Sequence, residues 1–175
     1  MSTILVTALL LVWQGDKPDG WMVVNAANKG YTVTMPKPER KAFQEQGPDN
    51  KLVHISVSKA TAEKRVYTVS VYEYSSSFME QPASAILDHV RTKTVFSLSG
   101  RVVTEKDIKY DQVPGREVII DGKRAGYLRA SLYVFNQRVY LVSVLAETES
   151  DLMSEDAQRF FTSFKLKPVK PATRK

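Results

Sequence analysis

The chain contains no cysteine. That excludes disulfides, thiol catalysis, thiolate zinc sites and a cysteine-borne lipid anchor. It does not fix the compartment, since cytosolic and exported chains alike can lack the residue. Only two histidines occur, His54 and His89. They fall in different predicted elements and neither opens a His-x-x-x-His pair, so a structural or surface place outweighs a metal for each. Phosphate-cradling loops of the Gly-x-Gly-x-x-Gly and Gly-Lys-Ser/Thr types are missing. So is the Gly-x-Ser-x-Gly nucleophile elbow, for which "SLSG" at 97–100 is an imperfect and misplaced match. Triads assemble in space, so spacing alone does not exclude one.

A basic folded surface is also lacking. The formal charge is +6, but "KLKPVKPATRK" at 165–175 carries five cations and no acid, which leaves about +1 for the rest. No stripe of cations with interleaved aromatics is visible, which argues against nucleic acid as a partner. The acids are not arranged for metal either. Glu105 and Asp107 alternate along a predicted strand, as on a solvated face. "ETESDLMSED" at 147–156 lacks calcium-loop spacing and reads as the approach to a helix.

An apolar run from Ile4 to Trp13 is broken only by Thr7. Ten helical residues span about 15 Å, half of a bilayer's hydrocarbon core, so the run is too short to cross a membrane. Its length suits the apolar region of an export signal, and the polar linker "QGDKPDG" follows it. No Lys or Arg precedes the run, and no small-x-small pair follows it before Gln14. Residues 1–15 are expected to be a signal or weakly membrane-associated N-terminal segment, 16–166 a single domain, and 167–175 a basic flexible tail.

What the chain has is strands. "WMVVNAANKGYTVTMP" reads as a hairpin, with Gly30 supplying the positive φ of the turn and Pro36 ending the pairing. Residues 37–50 are polar, contain Pro and Gly, and read as a loop. "LVHISVSK" alternates, with Val53, Ile55 and Val57 on one face. "RVYTVSVYEY" is rich in β-branched and aromatic residues. The period then changes. A helix is expected from Pro82, with Ile86, Leu87 and Val90 facing the core and Gly100 closing the segment. "RVVTEKDIKY" returns to strand, and Pro114-Gly115 is expected to make a type II turn. A last helix begins at the N-cap Ser154, with Glu155 and Asp156 in its first turn and Ala157, Phe160, Phe161 and Phe164 on its buried side.

Runs of strands with helices between and after them indicate an α+β fold. A mainly antiparallel sheet of about six to eight strands is expected. "VII" at 118–120 is apolar on consecutive residues, so that strand should be covered on both faces, with helices on either side. Between the strands around residues 118 and 128, a three-residue turn at 122–124 would set Glu117 opposite Arg129, Ile119 opposite Tyr127 and Val118 opposite Leu128. A two-residue turn would set Arg116 against Arg129, two like charges. The next hairpin, turning at Asn136-Gln137, would set Tyr133 opposite Tyr140 and Leu132 opposite Leu141.

"GYTVTMP" at 30–36, "YTVSVYEY" at 67–74, "VPGRE" at 113–117, "RVYLVSV" at 138–144 and "RFFTSFKL" at 159–166, with Trp21, fall in a familiar order. On these the chain, over roughly 21–166, resembles the PsbP-like group of small exported bacterial proteins. Their α/β/α sandwich is shared by photosystem II extrinsic subunits, DcrB-type lipoproteins and Ran-binding Mog proteins. Gln112 stands where the group's pattern has a glycine, and the lipid-bearing cysteine of the lipoproteins is absent. The resemblance implies the fold and carries over no catalytic residue.

The expected function is a non-catalytic, extracytoplasmic binding or scaffold domain without cofactor, its partner another protein or a cell-envelope component. The alternative is a small hydrolase with a spatially assembled site. Arg116, Arg129, Tyr133 and Tyr140 are the candidate interaction face, since Tyr and Arg dominate interface hot spots. The competing account makes them the cover of a sheet, with Arg129 pairing with Glu117 and Tyr133 with Tyr140.

Overall fold

A computed structural model of the chain describes residues 20–168. The segment expected at 1–15 and the tail beyond 168 lie outside the described residues. Seven antiparallel strands form the main sheet. In spatial order they are β3 (Glu39–Gln46), β4 (Leu52–Ala62), β5 (Arg65–Glu73), β9 (Arg138–Ala146), β8 (Tyr127–Phe135), β7 (Val113–Asp121) and β6 (Arg101–Tyr110). A small sheet of β1 (Trp21–Ala26), β2 (Tyr31–Pro36) and β10 (Lys165–Leu166) has β2 at its centre. The helices are α1 (Ser76–Met79), α2 (Ala83–Ser97) and α3 (Glu155–Ser163). The fold is α+β, as expected.

Two cores lie on either side of the main sheet. Ile86, Leu87 and Val90 of α2 pack on Val118, Ile120, Leu132 and Leu141. On the other face, Val24, Val33 and Met35 of the small sheet and Ala157 and Phe160 of α3 pack on Tyr67, Val69, Val142 and Val144. Strand side chains alternate between the faces, so consecutive residues are buried wherever both layers cover a strand. Val118, Ile119 and Ile120 are all buried, the middle one against the second core.

Three local expectations are corrected. Residues 37–50 are not all loop: Glu39–Gln46 form β3, paired with β4 from Glu39↔Lys59 to Gln46↔Leu52. β3 is an edge strand, exposed at all but one position, so it carries no burial alternation. Pro114-Gly115 does not turn the chain. The reversal is at Asp111-Gln112, with Asp111 at φ 52°. Pairing of β7 with β8 starts at Gly115↔Tyr133, so Pro114 lies just beyond the end of that ladder.

The register of β7 with β8 is also displaced. Arg129 lies opposite Ile119, and Glu117 opposite Ser131, two residues away from the expected pairing; Val118 and Ile119 shift equally. The cause is a five-residue connection, 122–126, in which Lys123–Ala125 make a 3-10 turn. Gly126 at φ 87° brings the backbone so close to Ala146 that a Cβ would sit 2.3 Å from its carbonyl oxygen. A slip of two keeps every side chain on its face. The β8–β9 hairpin has the expected register, Tyr133↔Tyr140 and Leu132↔Leu141, with Asn136 and Gln137 both at positive φ. Gly30 takes the expected left-handed conformation at φ 77°.

Candidate functional site

The four residues read as an interaction face do not share one. Arg116 points toward α2, where it meets Asp88 of that helix and Glu105 (3.1 Å) and Asp107 (3.2 Å) of β6. Its side chain is only 11% exposed. It fastens α2 to the β6–β7 end of the sheet; Glu105 and Asp107 lie on an exposed strand, as expected, and pair with it there.

Arg129, Tyr133 and Tyr140 lie on the opposite face, beneath α3 and the small sheet. Arg129 donates to Glu117 at 2.7 and 3.1 Å and stacks 4.5 Å over the Phe161 ring. Burial raises the Glu117 pKa, but the bonds from Lys106 and Arg129 outweigh it and hold the carboxyl below its ordinary value. Tyr140 is fully buried and donates to the Lys29 carbonyl at 2.9 Å. Tyr133 and Tyr140 do not stack on each other: both meet Phe164, which also stacks on Tyr31. Phe164 is thus the centre of an aromatic cluster that clamps three strands.

The histidines lie far from acid–base geometry. His54 is an exposed residue of β4, bonded to Gln44 at 2.9 Å. His89 packs edge-on against Tyr74 and Phe78, and burial lowers its pKa. Neither contacts a serine hydroxyl or a carboxylate among the described residues. No group of three or more potential metal ligands is found among them.

The turn of the first hairpin is pinned to the main sheet. Arg138 bonds the Asn28 carbonyl and pairs with Glu73, which also takes Lys29 at 3.4 Å. Tyr31 Oη and Ser58 Oγ meet at 2.9 Å in the interior, where burial, the larger effect, raises the Tyr31 pKa despite the Ser58 bond. These contacts hold the small sheet beside β4 but leave β3 overhanging. The overhang is where the surface becomes concave. Cavities of about 400, 260 and 350 Å³ run along the β3–β4 flank.

The middle cavity is a cleft between the two sheets. Tyr31 and Ser58 lie in it, with Asn28, Lys29 and Ser56 around it and Arg40 on β3. Arg40 is the cross-strand partner of Ser58, so both project into the same side. Lys29, Arg40 and Lys41 bring three cations to the lining and no acid is among it. Lys37 and Lys59 line the neighbouring cavity. Among the described residues Lys37, Arg40 and Lys59 have no ion-pair partner, and Lys41 has only a loose, exposed contact with Glu39 at 3.9 Å. Sequence reading missed this cluster because its cations come from β2's approach, β3 and β4, and the strand that gathers them reads as a polar loop.

No family model and no curated protein matches the chain. A structural likeness does exist, to the solution structure of cyanobacterial PsbP (CyanoP) from Synechocystis sp. PCC 6803, with a TM-score of 0.56 over 87% of this chain and 95% of that one. The chain has the PsbP-like fold. Identity across the alignment is 9%, so the likeness concerns the backbone arrangement alone.

Proposed function

We propose that the protein is a non-catalytic binding domain whose working surface is the β3–β4 flank. The carrying observation is the coincidence on that flank, among the described residues, of three features: a strand edge without a partner, adjoining cavities, and the cations Lys37, Arg40 and Lys59, which have no ion-pair partner. Elsewhere the prominent arginines are occupied: Arg65 by Glu63 and Asp156, Arg116 by Asp88, Glu105 and Asp107, Arg129 by Glu117, and Arg159 by the Trp21 ring. A rigid sheet with one chemically unsatisfied border suits recognition of another macromolecule. The partner is another protein or a component of the cell envelope.

The site of action is outside the cytoplasm. That rests on the apolar run at 4–13 and the polar linker after it; no helix among the described residues is long and apolar enough to cross a membrane. An alkaline phosphatase fused after residue 20 should be active, since that enzyme works only when exported; an inactive, well-expressed fusion would refute export.

For the binding surface, a photocrosslinking side chain placed at Phe43 of β3 should give a discrete adduct in cells of the source organism. Phe96, an exposed aromatic on α2, supplies the control. Absence of an adduct from position 43, or an equal one from position 96, would refute the assignment.

A further inference from the structure

Two long edges bound the main sheet, and they are built differently. At β6 the register breaks between Val102 and Thr104, and the strand's acids are tied to Arg116 and Arg91. Bulges and engaged charges of this kind keep another strand from adding. At β3 the pairing with β4 is continuous over eight residues, with no bulge. Its outer row of backbone N–H and C=O groups has no partner strand among the described residues. A straight edge of this length is a template for an added strand.

The side chains beside that edge select what is added. An incoming strand would alternate its residues between the two faces of the sheet. On one face it would meet Arg40, then Ala42 and Gln44. On the other it would meet Lys41, then Phe43, which is 51% exposed. Lys37 and Lys59 stand near the same end as Arg40 and Lys41. Among the described residues Glu39 is the one acid at that end, against Lys37, Arg40, Lys41 and Lys59, so the end is net cationic, and the middle of the edge is apolar or neutral. Toward the far end Glu45 is neutralised by Lys93 of α2.

Resting on the reading of this flank as the binding surface, we infer that β3 receives an extended acidic segment of a partner protein. An Asp or Glu side chain of that segment enters the cleft beside Arg40. The cleft, of about 260 Å³, is far larger than the roughly 30 Å³ that one liquid water occupies, so a carboxylate side chain fits with its stem along Ala42 and Val57. Arg40 presents a planar fork of donors suited to bidentate carboxylate binding. Backbone pairing supplies affinity that does not depend on sequence; the cations and Phe43 impose the preference for acids at one end and an apolar residue at the middle.

The test uses the full chain and fluorescent ten-residue peptides alternating Val or Thr with Glu. Three control ligands accompany them: the Lys counterpart, a copy N-methylated at alternate amides, and a single-stranded oligonucleotide. The acidic peptide should bind, and its binding should weaken as salt is raised from about 0.05 to about 0.3 M. Arg40→Glu, an exposed substitution whose fold is checked by circular dichroism, should weaken it at least tenfold. N-methylation should do the same, because it removes backbone donors and leaves the charge. Amide resonances of β3 should shift and gain protection from exchange. Binding that survives N-methylation would show an anion site without strand addition and overturn the inference. So would indifference to Arg40→Glu, no binding at all, or binding of the oligonucleotide in preference to the peptide. Failure of the peptides alongside a position-43 adduct in cells would remove the acidic strand and keep the flank; loss of the adduct would remove the flank itself.

Discussion

Arg129 and Glu117 are not opposite one another in the sheet, yet their side chains meet at 2.7 Å. They are diagonal neighbours on one face, and the long arginine stem spans the offset. Both side chains are mostly buried, at 13% and 15% exposure. Removing Glu117 strands the Arg129 charge, which costs about 1–3 kcal/mol, whereas removing Arg129 leaves Glu117 paired with Lys106 at 2.8 Å. A double-mutant cycle on Glu117→Ala and Arg129→Ala should return a coupling of about 1 kcal/mol, measured by urea unfolding. Zero coupling would leave the pair a coincidence of packing.

The same pair predicts a pH dependence. The folded-state pKa of Glu117 lies below its ordinary value of 4.5. Its contribution to stability is therefore complete above about pH 4.5 and is lost as pH falls through the folded value. Replacing it by Gln should flatten the acid limb of the stability curve while leaving its neutral slope unchanged. An unaltered acid limb would show that other carboxylates carry the effect.

Phe164 should be among the most sensitive positions. It is 4% exposed and touches Tyr31, Tyr133 and Tyr140. Phe164→Ala should cost about 3–5 kcal/mol. At this size that is a fall in Tm of about 6–20 °C, since each kcal/mol shifts it by about 2–4 °C. A calorimetric scan decides. A drop within 2 °C or so would mean that the cluster relaxes around the gap.

A single hydroxyl, Ser163 Oγ, accepts from Thr34 N–H at 2.9 Å, and its one proton is shared between the Phe160 carbonyl at 2.9 Å and the Thr34 carbonyl at 3.2 Å. It stands in for a neighbouring strand where β10 no longer flanks β2. Ser163→Ala should cost about 1–2 kcal/mol and speed hydrogen exchange at Thr34 above all other amides of β2. Uniform exchange along β2 would contradict that role.

The end of α2 offers a stabilising change. Gly100 donates to the Val95 carbonyl and Ser99 to that of Phe96, a Schellman arrangement in which Ser99, at φ 48°, occupies the left-handed position. Ser99→Gly should add roughly 0.5–1 kcal/mol by relieving that conformation. Gly100→Ala should destabilise, because its Cβ would lie 2.7 Å from the Asp121 carbonyl oxygen. Thermal melts of the two variants moving in the same direction would refute the assignment.

Elements with a buried stripe were legible in the sequence: α2, α3, β5, β8 and β9 all carry apolar residues at their own period. β3 was not, because an exposed edge strand has no side to bury and "ERKAFQEQ" therefore has no pattern. The candidate site inherits that blindness, since Arg40 and Lys41 belong to β3. The β7–β8 register failed for a different reason. Alternation fixes which face a residue takes but is blind to a slip of two, and the slip was set by the close approach at Gly126. Arg116 was grouped with Arg129 on residue type, although their opposite parity relative to the Arg116↔Leu132 pair puts them on different faces.

The small sheet joins residues 21–36 to residues 165–166, the two ends of the described chain. Its central strand can be flanked on both sides only after nearly all of that chain has left the ribosome. Until then the main sheet's second face, with Tyr140, Val142 and Val144, has neither α3 nor a completed small sheet over it. The order of synthesis thus makes this layer the last to close. A chain halted before Glu155 would present a sticky aromatic wall to whatever chaperone or neighbour met it first.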